Sequence, residues 1–283
     1  MKQCIVCNHQ NFDKLYNQTL LKCVQCGFVT ANMEIAELEM QNIYTENYFK
    51  GEEYLDYQKD KKTIVKNFKR RILQILKFSP ADKIKKAVEI GCAYGFFAQT
   101  LNDNVKGVDF TGFDIVPEPI HYGKNELKQN LICADYTSYP SENEQYTDVF
   151  MWDVIEHLPY PDKMLEKLSN ETLPNGRIYI TTGDIESYLA RKQKDKWRMI
   201  HPPTHLHYFS VKTLTLLLKN YGFVVKSVSY PGIWRSINQI YYSLFLLNKK
   251  GNILSRFFYR LIPEGLGISI NTKDIMFIIA EKQ

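Results

Sequence analysis

Val88-Glu-Ile-Gly-Cys-Ala-Tyr-Gly-Phe-Phe97 is the stretch on which the fold turns. Ala87 to Ile90 reads as a short buried strand, and Phe96 to Leu101 as the start of a helix. Between them, Gly91 and Gly95 permit a tight turn and a close approach of ligand to backbone. Strand, glycine turn and helix form the opening unit of a doubly wound sheet, whose ligands sit at the carboxyl ends of the strands. Two glycines four apart are weak evidence by themselves, because a bare packing turn would look the same.

The flanking sequence continues the alternation. A second strand runs to about Phe113, followed by a helix near Pro119 to Leu127. Asn130 to Ala134 is a third strand and Thr147 to Trp152 a fourth, with a helix over Pro161 to Ser169. Leu173-Pro-Asn-Gly176 reads as a turn before the strand Arg177 to Thr181. Val211 to Tyr221 is a helix, and Phe223 to Val228 and Ile275 to Ala280 are the last two strands. This order predicts an α/β fold: a doubly wound, mostly parallel, seven-stranded sheet of Rossmann-like type. The residues between the last two strands, about 231–271, read as a helical insertion. Its apolar-rich segments Ile237 to Leu247 and Ile253 to Ile262 form a lid or wall, with membrane-surface docking and a dimer interface as alternatives.

Upstream, Ile64, Val65, Phe68, Ile72, Ile75 and Leu76 recur at helical spacing over Lys59 to Phe78. Before them, Asn32 to Met40 suggests a short helix, and Tyr44, Tyr48, Phe49, Tyr54 and Tyr57 form an aromatic stretch. The chain has 283 residues and a formal net charge of +5. Lys59 to Lys86 holds eleven Lys/Arg against Asp60 and Asp82, leaving the remainder slightly acidic. A solvated helix face is the plain reading of that run, and a phosphate-bearing partner the rival. Hydrophobic residues are 45% of the chain and charged residues 24%, which excludes disordered and collagen-like classes. No apolar run is long enough to span a bilayer. Met-Lys-Gln-Cys4 lacks the apolar core of a secretory signal, so the expected compartment is cytoplasmic.

Four of the six cysteines, Cys4, Cys7, Cys23 and Cys26, read C-x2-C-x15-C-x2-C. Two tight turns can aim four thiolates at one tetrahedral zinc ion. Phe12, Leu15, Tyr16, Leu20 and Leu21 supply two short strands between the pairs. A structural zinc ribbon over residues 1–38 is therefore expected, self-contained enough for its loss to leave the fold after Ala87 intact. A helical linker or cap then covers 39–86 and the main domain 87–283. A cytosolic chain argues against disulfides, and two matched pairs against a single redox motif. Cys92 and Cys133 read as ordinary small buried residues.

Asp114 ends the second strand nineteen residues after Gly95, where an acid can accept both hydroxyls of a ribose, with Asp109 the rival. Asp135 follows the third strand. The third glycine of G-x-G-x-x-G is lacking, which disfavours a dinucleotide. The series E-I-G-C-A-Y-G-F-F, G-F-D-I-V-P-E-P-I, C-A-D-Y, M-W-D-V-I-E-H-L and L-P-N-G-R-I-Y-I-T-T resembles the ordered motifs of class I S-adenosylmethionine-dependent methyltransferases, over about Ala87 to Gly183. The resemblance implies that Glu89, Gly91, Cys92, Ala93 and Gly95 line the methionine part of the cofactor. Asp114, with Ile115 beside it, would hold the ribose, and Asp135 and Tyr136 would flank the adenine. Trp152, Asp153 and His157 would lie where the sulfonium methyl meets the acceptor. Ala93 stands where the family often has a glycine, and Thr182-Gly183-Asp184 where many relatives have a proline-containing turn.

The whole layout, ribbon, Y-T-E-N-Y-F, core and H-P-P-T-H-L-H-Y-F-S, is similar to a bacterial subgroup that methylates sugars or nucleotide-sugars. His201, His205 and His207 fall within seven residues, and an extended chain points His205 and His207 the same way. A hydroxyl acceptor must lose its proton as it attacks, and histidine is the usual base. His205, then His207, then His157 are the candidates, each against a purely structural role. Trp197, Trp234, Tyr44 and Tyr48 could wall the acceptor pocket. An RNA methyltransferase is the rival function, disfavoured because the ribbon is not basic. A non-catalytic binding protein that kept the cofactor fold is the third.

Overall fold

The computed structural model describes residues 3–33, 57–141, 144–245, 253–263 and 266–283. Of the helix expected over Asn32 to Met40 only Asn32 and Met33 are described, in a bend; its remaining residues and the aromatics Tyr44, Tyr48, Phe49 and Tyr54 lie outside the described residues.

The central sheet follows from its apolar runs. β4 (Lys86–Ile90), β5 (Asp109–Asp114), β6 (Leu131–Cys133), β7 (Tyr146–Trp152), β8 (Thr172–Gly183), β10 (Phe223–Ser229) and β13 (Ile275–Lys282) assemble in the order β10-β13-β8-β7-β4-β5-β6. β8, β7, β4, β5 and β6 pair in parallel, and β13 runs antiparallel between β8 and β10. Alternate residues face opposite layers. Val149 and Met151 join the face covered by α4 (Pro161–Glu171) and α6 (Val211–Asn220), through Leu165, Leu168, Leu214 and Leu217. Phe150 and Trp152 join the face covered by α1 (Lys61–Ile75) and α2 (Phe96–Asn104). On α1 the buried positions are Phe68, Ile72 and Ile75, each worth about 1.5–3 kcal/mol of burial. α3 (Pro117–Asn125) follows β5 with proline in its first turn, and the short α5 (Tyr188–Gln193) follows β8.

Leu173 to Gly176 is not a separate turn. It is carried inside β8 as a bulge, since Tyr146 pairs with Thr172 and Asp148 with Arg177. Asn175 takes a φ of +64° there.

The cysteine segment contributes β1 (Phe12–Leu15), β2 (Leu20–Cys23) and β3 (Val29–Ala31). Two strands were expected, and the third makes the difference. β3 pairs antiparallel with β9 (His207–Tyr208), a two-residue strand in the histidine segment. Cys4, Val6, Cys23, Cys26 and Phe28 share one buried cluster with Phe209, Leu214 and Leu217, so this segment packs into the face of the main sheet. The Asn220 side chain also donates to the Val6 carbonyl at 2.8 Å.

The insertion holds α7 (Ile237–Phe245) and α8 (Ile253–Leu261), as expected. A two-stranded sheet of β11 (Ile233–Ser236) and β12 (Gly267–Ile270) frames them. Asn67 of α1 clasps this sheet: its amide donates to the Trp234 carbonyl at 2.9 Å and accepts from the Trp234 N–H at 2.8 Å. Among the described residues no helix is long and apolar enough to cross a membrane.

Candidate active site

The turn after β4 is built on positive φ: Gly91 at +74°, Ala93 at +46° and Gly95 at +72°. A Cβ at Gly91 would stand 2.5 Å from Val154 Cγ2, and one at Gly95 2.9 Å from Leu131 Cδ1. The Gly91 and Cys92 N–H groups donate to the Phe113 carbonyl at 2.8 and 3.0 Å. Asp114 closes the turn from the side, accepting from Ala93 N at 2.8 Å with one oxygen and from Val116 N at 3.0 Å with the other. Burial raises its pKa, and those N–H groups offset the rise in part. Ile115 is exposed beside it, an apolar side chain at the mouth of the turn.

Beneath the turn, Glu89 is buried and its Oε2 has no hydrogen-bond partner among the described residues. Burial, then the Asp114 charge, pushes its pKa well up, with Arg71 pulling the other way. A buried carboxyl with an unmatched oxygen beneath this turn fits a ligand that carries its own positive charge. Cys92 is buried against Gly112, whereas Cys133 is exposed, contrary to the expectation for it. Asp135 is exposed at the sheet edge and accepts from Thr137 N at 2.9 Å. Tyr136, placed beside an adenine by resemblance, turns its ring into the core, 4.8 Å from that of Phe113, and donates its hydroxyl to Glu171.

At the end of β7, Trp152 is buried and Asp153 takes a φ of +54°, its N–H held by Thr181. The Arg71 guanidinium lies 4.8 Å from the Trp152 ring centre and 3.8 Å from the Asp153 carboxylate. Sequence reasoning passed over Arg71. The signal was a cation on the buried stripe of α1, three residues after Phe68 and four before Ile75.

The opposite wall is the histidine segment. The Glu156 carbonyl accepts from Leu206 N at 2.9 Å and His207 N at 3.0 Å, tying the β7 loop to it. The Glu156 side chain is buried, and neither carboxylate oxygen has a hydrogen-bond partner of ordinary geometry among the described residues. Burial and then the Asp153 charge push its pKa up to about 8, offset only in part by Thr182. His157 Nδ1 sits 2.8 Å from the Thr204 carbonyl and His205 Nδ1 2.8 Å from the Met199 carbonyl. A carbonyl can only accept, so in both rings the proton is on Nδ1 and Nε2 is the basic nitrogen. Burial drives the pKa of His157 down to about 4 and, with the His157 and His201 charges, that of His205 to about 2. Both rings are uncharged at neutral pH.

His207 Nδ1 lies 3.2 Å from Thr30 Oγ1, and that hydroxyl gives its own proton to the Leu206 carbonyl at 3.1 Å. His207 must therefore donate from Nδ1 as well. His205 and His207 open onto one cavity of about 10 Å³, with Glu156 and Thr182 also lining it, as their alternation predicted. Trp197 is buried, donates Nε1–H to Asp274 at 2.9 Å and lines that same cavity. Trp234 lies under Lys66 in the insertion, 3.2 Å from the ring centre. Tyr44 and Tyr48 are outside the described residues.

The four N-terminal cysteines converge. Cys4 and Cys26 Sγ are 3.6 Å apart, Cys7 and Cys23 Sγ 3.5 Å, and all four sulfurs lie within 4.8 Å of one another. These spacings are too long for disulfides. They approach the roughly 3.8 Å edge of a tetrahedron with metal–sulfur bonds of about 2.3 Å. Burial opposes the Cys23 thiolate, but the Cys26 and Gln25 N–H groups bring its pKa down to about 7.

A family model described as "Methyltransferase domain" matches residues 59–228. A ubiquinone biosynthesis O-methyltransferase of Photobacterium profundum is 26% identical over 113 residues, covering 37% of this chain and 47% of that protein. The chain thus spans about half the length of the curated relatives it matches. The plantazolicin methyltransferase BpumL, solved in complex with SAH, superposes with a TM-score of 0.54 at 18% identity, over 87% of this chain and 96% of that one. A SAM-dependent methyltransferase from Archaeoglobus fulgidus gives 0.51 at 18% identity, over 84% and 97%. At these identities the structural matches speak to the fold.

Proposed function

This chain belongs to the methyltransferase-domain family, and from that premise we propose that it moves the methyl group of S-adenosylmethionine to a small hydroxylated acceptor, a sugar or nucleotide-sugar. When bound, that cofactor supplies an electrophilic methyl on a positively charged sulfur. The observation that carries the reading is the pairing of Asp114 with the buried, unmatched Glu89 across the Gly91–Gly95 turn. Asp114 accepts the two ribose hydroxyls, and Glu89 answers positive charge brought by the methionine end. Gly91 and Gly95 let the nucleoside approach the backbone. Asp135 and Ile115 border the adenine, and Trp152 with Asp153 closes the methyl end.

The second wall handles the acceptor. In-line displacement demands that nucleophile, methyl carbon and sulfur be aligned, and rigid side chains do most of that work. His157 and His205 are uncharged imidazoles whose Nε2 can accept a hydrogen bond and so orient a hydroxyl, and His207, its Nδ1 also protonated, can receive the proton at Nε2. The relatives named O-methyltransferases support oxygen as the accepting atom.

The four cysteines we read as a zinc site that fixes the ribbon, on the sulfur spacings given above. Metal analysis should find about one zinc per chain, lost in Cys23→Ser. The function is tested by transfer of labelled methyl groups across a panel of sugars and nucleotide-sugars. Calorimetry with S-adenosylhomocysteine tests the cofactor half alone, and absence of binding overturns the reading.

A further inference from the structure

Glu156, His157 and His205 are gathered more tightly than acceptor orientation requires. One ligating atom from each lies within 4.8 Å of the other two. The His157 and His205 rings meet edge to face at 4.5 Å between centroids. Each ring spends its Nδ1 proton on a main-chain carbonyl, the arrangement that orients a metal-ligating imidazole and makes Nε2 the donor. The third member, Glu156, is 2% exposed with both carboxylate oxygens lacking an ordinary hydrogen bond among the described residues. A carboxylate so placed is costly unless a positive charge meets it. The neighbouring Asp153 adds to the negative field, while the nearby cation Arg71 lies 3.8 Å from Asp153.

We propose that Glu156, His157 and His205 hold a divalent first-row cation, separate from the metal of the cysteine cluster. Two imidazoles and one carboxylate suit manganese, iron(II), cobalt or zinc, and leave coordination positions open. This deepens the function proposed above and rests on it for its role. One open position takes the acceptor hydroxyl, in a cavity of about 10 Å³ sized for a single such oxygen. The acceptor hydroxyl on the cation gives its proton to His207 Nε2, which opens onto the same cavity. Its oxygen then forms the new bond to the methyl carbon as the carbon–sulfur bond breaks. The bonding pair leaves on sulfur as a neutral thioether, and His207 passes its proton to water. One net positive charge remains to stabilise the alkoxide, which is the use of a Lewis acid here.

The test uses the full chain with its cysteine-bound metal retained, and manganese(II) alone as the probe. Manganese avoids thiolates, so it reports the nitrogen–oxygen site. Paramagnetic resonance titration should show about one manganese bound per chain, with nitrogen hyperfine coupling from imidazole in the wild-type protein. Glu156→Gln and His205→Ala should each weaken binding at least tenfold, with cysteine-site zinc unchanged and S-adenosylhomocysteine affinity within about twofold. No binding up to about millimolar manganese, bound manganese without nitrogen coupling, or binding that survives both substitutions overturns the proposal. Should the variants fail to fold, the hyperfine signature of the wild type decides. Failure of the cofactor reading shows separately, as loss of S-adenosylhomocysteine binding with the manganese signal intact.

Discussion

Asp114 braces the glycine turn through Ala93 and Val116, and in the proposed function it also receives the ribose. Asp114→Asn keeps the shape but loses the charge. We expect S-adenosylhomocysteine affinity to fall about a hundredfold by calorimetry, as two charge-assisted hydrogen bonds weaken. Asp274 is the structural counterpart. It is fully buried and accepts from Trp197, Thr272 and Arg198. Burial opposes its charge, but those donors outweigh it and hold its pKa below the ordinary value of 3.8. A carboxyl with a depressed folded pKa contributes stability above its unfolded pKa and loses it as pH falls through the folded one. Asp274→Asn should therefore cost about 1–3 kcal/mol in urea melts at pH 7. That difference should begin to shrink as pH falls below 3.8 and go on shrinking as pH falls through the folded pKa; a gap that stays undiminished into acid would mean the cost is packing, not charge. At this scale the sequence was partly legible. Asp114 and the cysteines follow from spacing. Glu156 stood inside the quoted M-W-D-V-I-E-H-L, but a helix or loop register does not reveal which carboxylate is dehydrated. Tyr136 and Trp197 point inward because their polar tips find Glu171 and Asp274, partners far off in the chain.

Elements with strong period or strong caps were readable, and short ones were not. The parallel strands announced themselves as apolar runs, and α6 as Ser210 and Thr213 closing a capping box around Leu214, Leu217 and Leu218. β9 has two residues and β11 four, too few for any alternation to register. Their existence depends on partners: β9 on β3, β11 on β12 and on Asn67 of α1. The Asn67 amide stands in for a neighbouring strand by matching both polar groups of the Trp234 peptide unit. Asn67→Ala should cost about 1–3 kcal/mol through two lost hydrogen bonds. Hydrogen exchange would locate the effect, with faster exchange at Trp234 and across β11 and β12 and little change in β4 or β7. Unaltered exchange at Trp234 would show the clasp to be idle. Lys66 over the Trp234 ring adds a second tie from the same helix, so the double variant should loosen the insertion further.

Across the whole molecule, the cysteine segment and the histidine wall are one sheet. Spacing alone presents the ribbon as a detachable unit; its third strand and its shared buried cluster with Phe209, Leu214 and Leu217 make it a buttress. Thr30 fixes the tautomer of His207, and Phe28 packs 5.6 Å from that ring. If the four cysteines hold the proposed zinc, removing it with a chelator should speed hydrogen exchange at His205 to Phe209. It should lower methyl transfer by about tenfold to a hundredfold through misplacement of that wall. Cofactor affinity should change little, because the Gly91–Gly95 turn is held by Phe113 and Asp114. Equal loss of both activities would mean general unfolding. The same β3–β9 seam sets a timetable. Thr30 and Leu206 are 176 positions apart, roughly ten to thirty-five seconds of ribosomal synthesis at the usual pace. For that interval the outer side of β3 is bare, and a bare strand edge invites pairing with any nascent neighbour. Slow, sparse translation should thus yield more correctly assembled protein than crowded polysomes do.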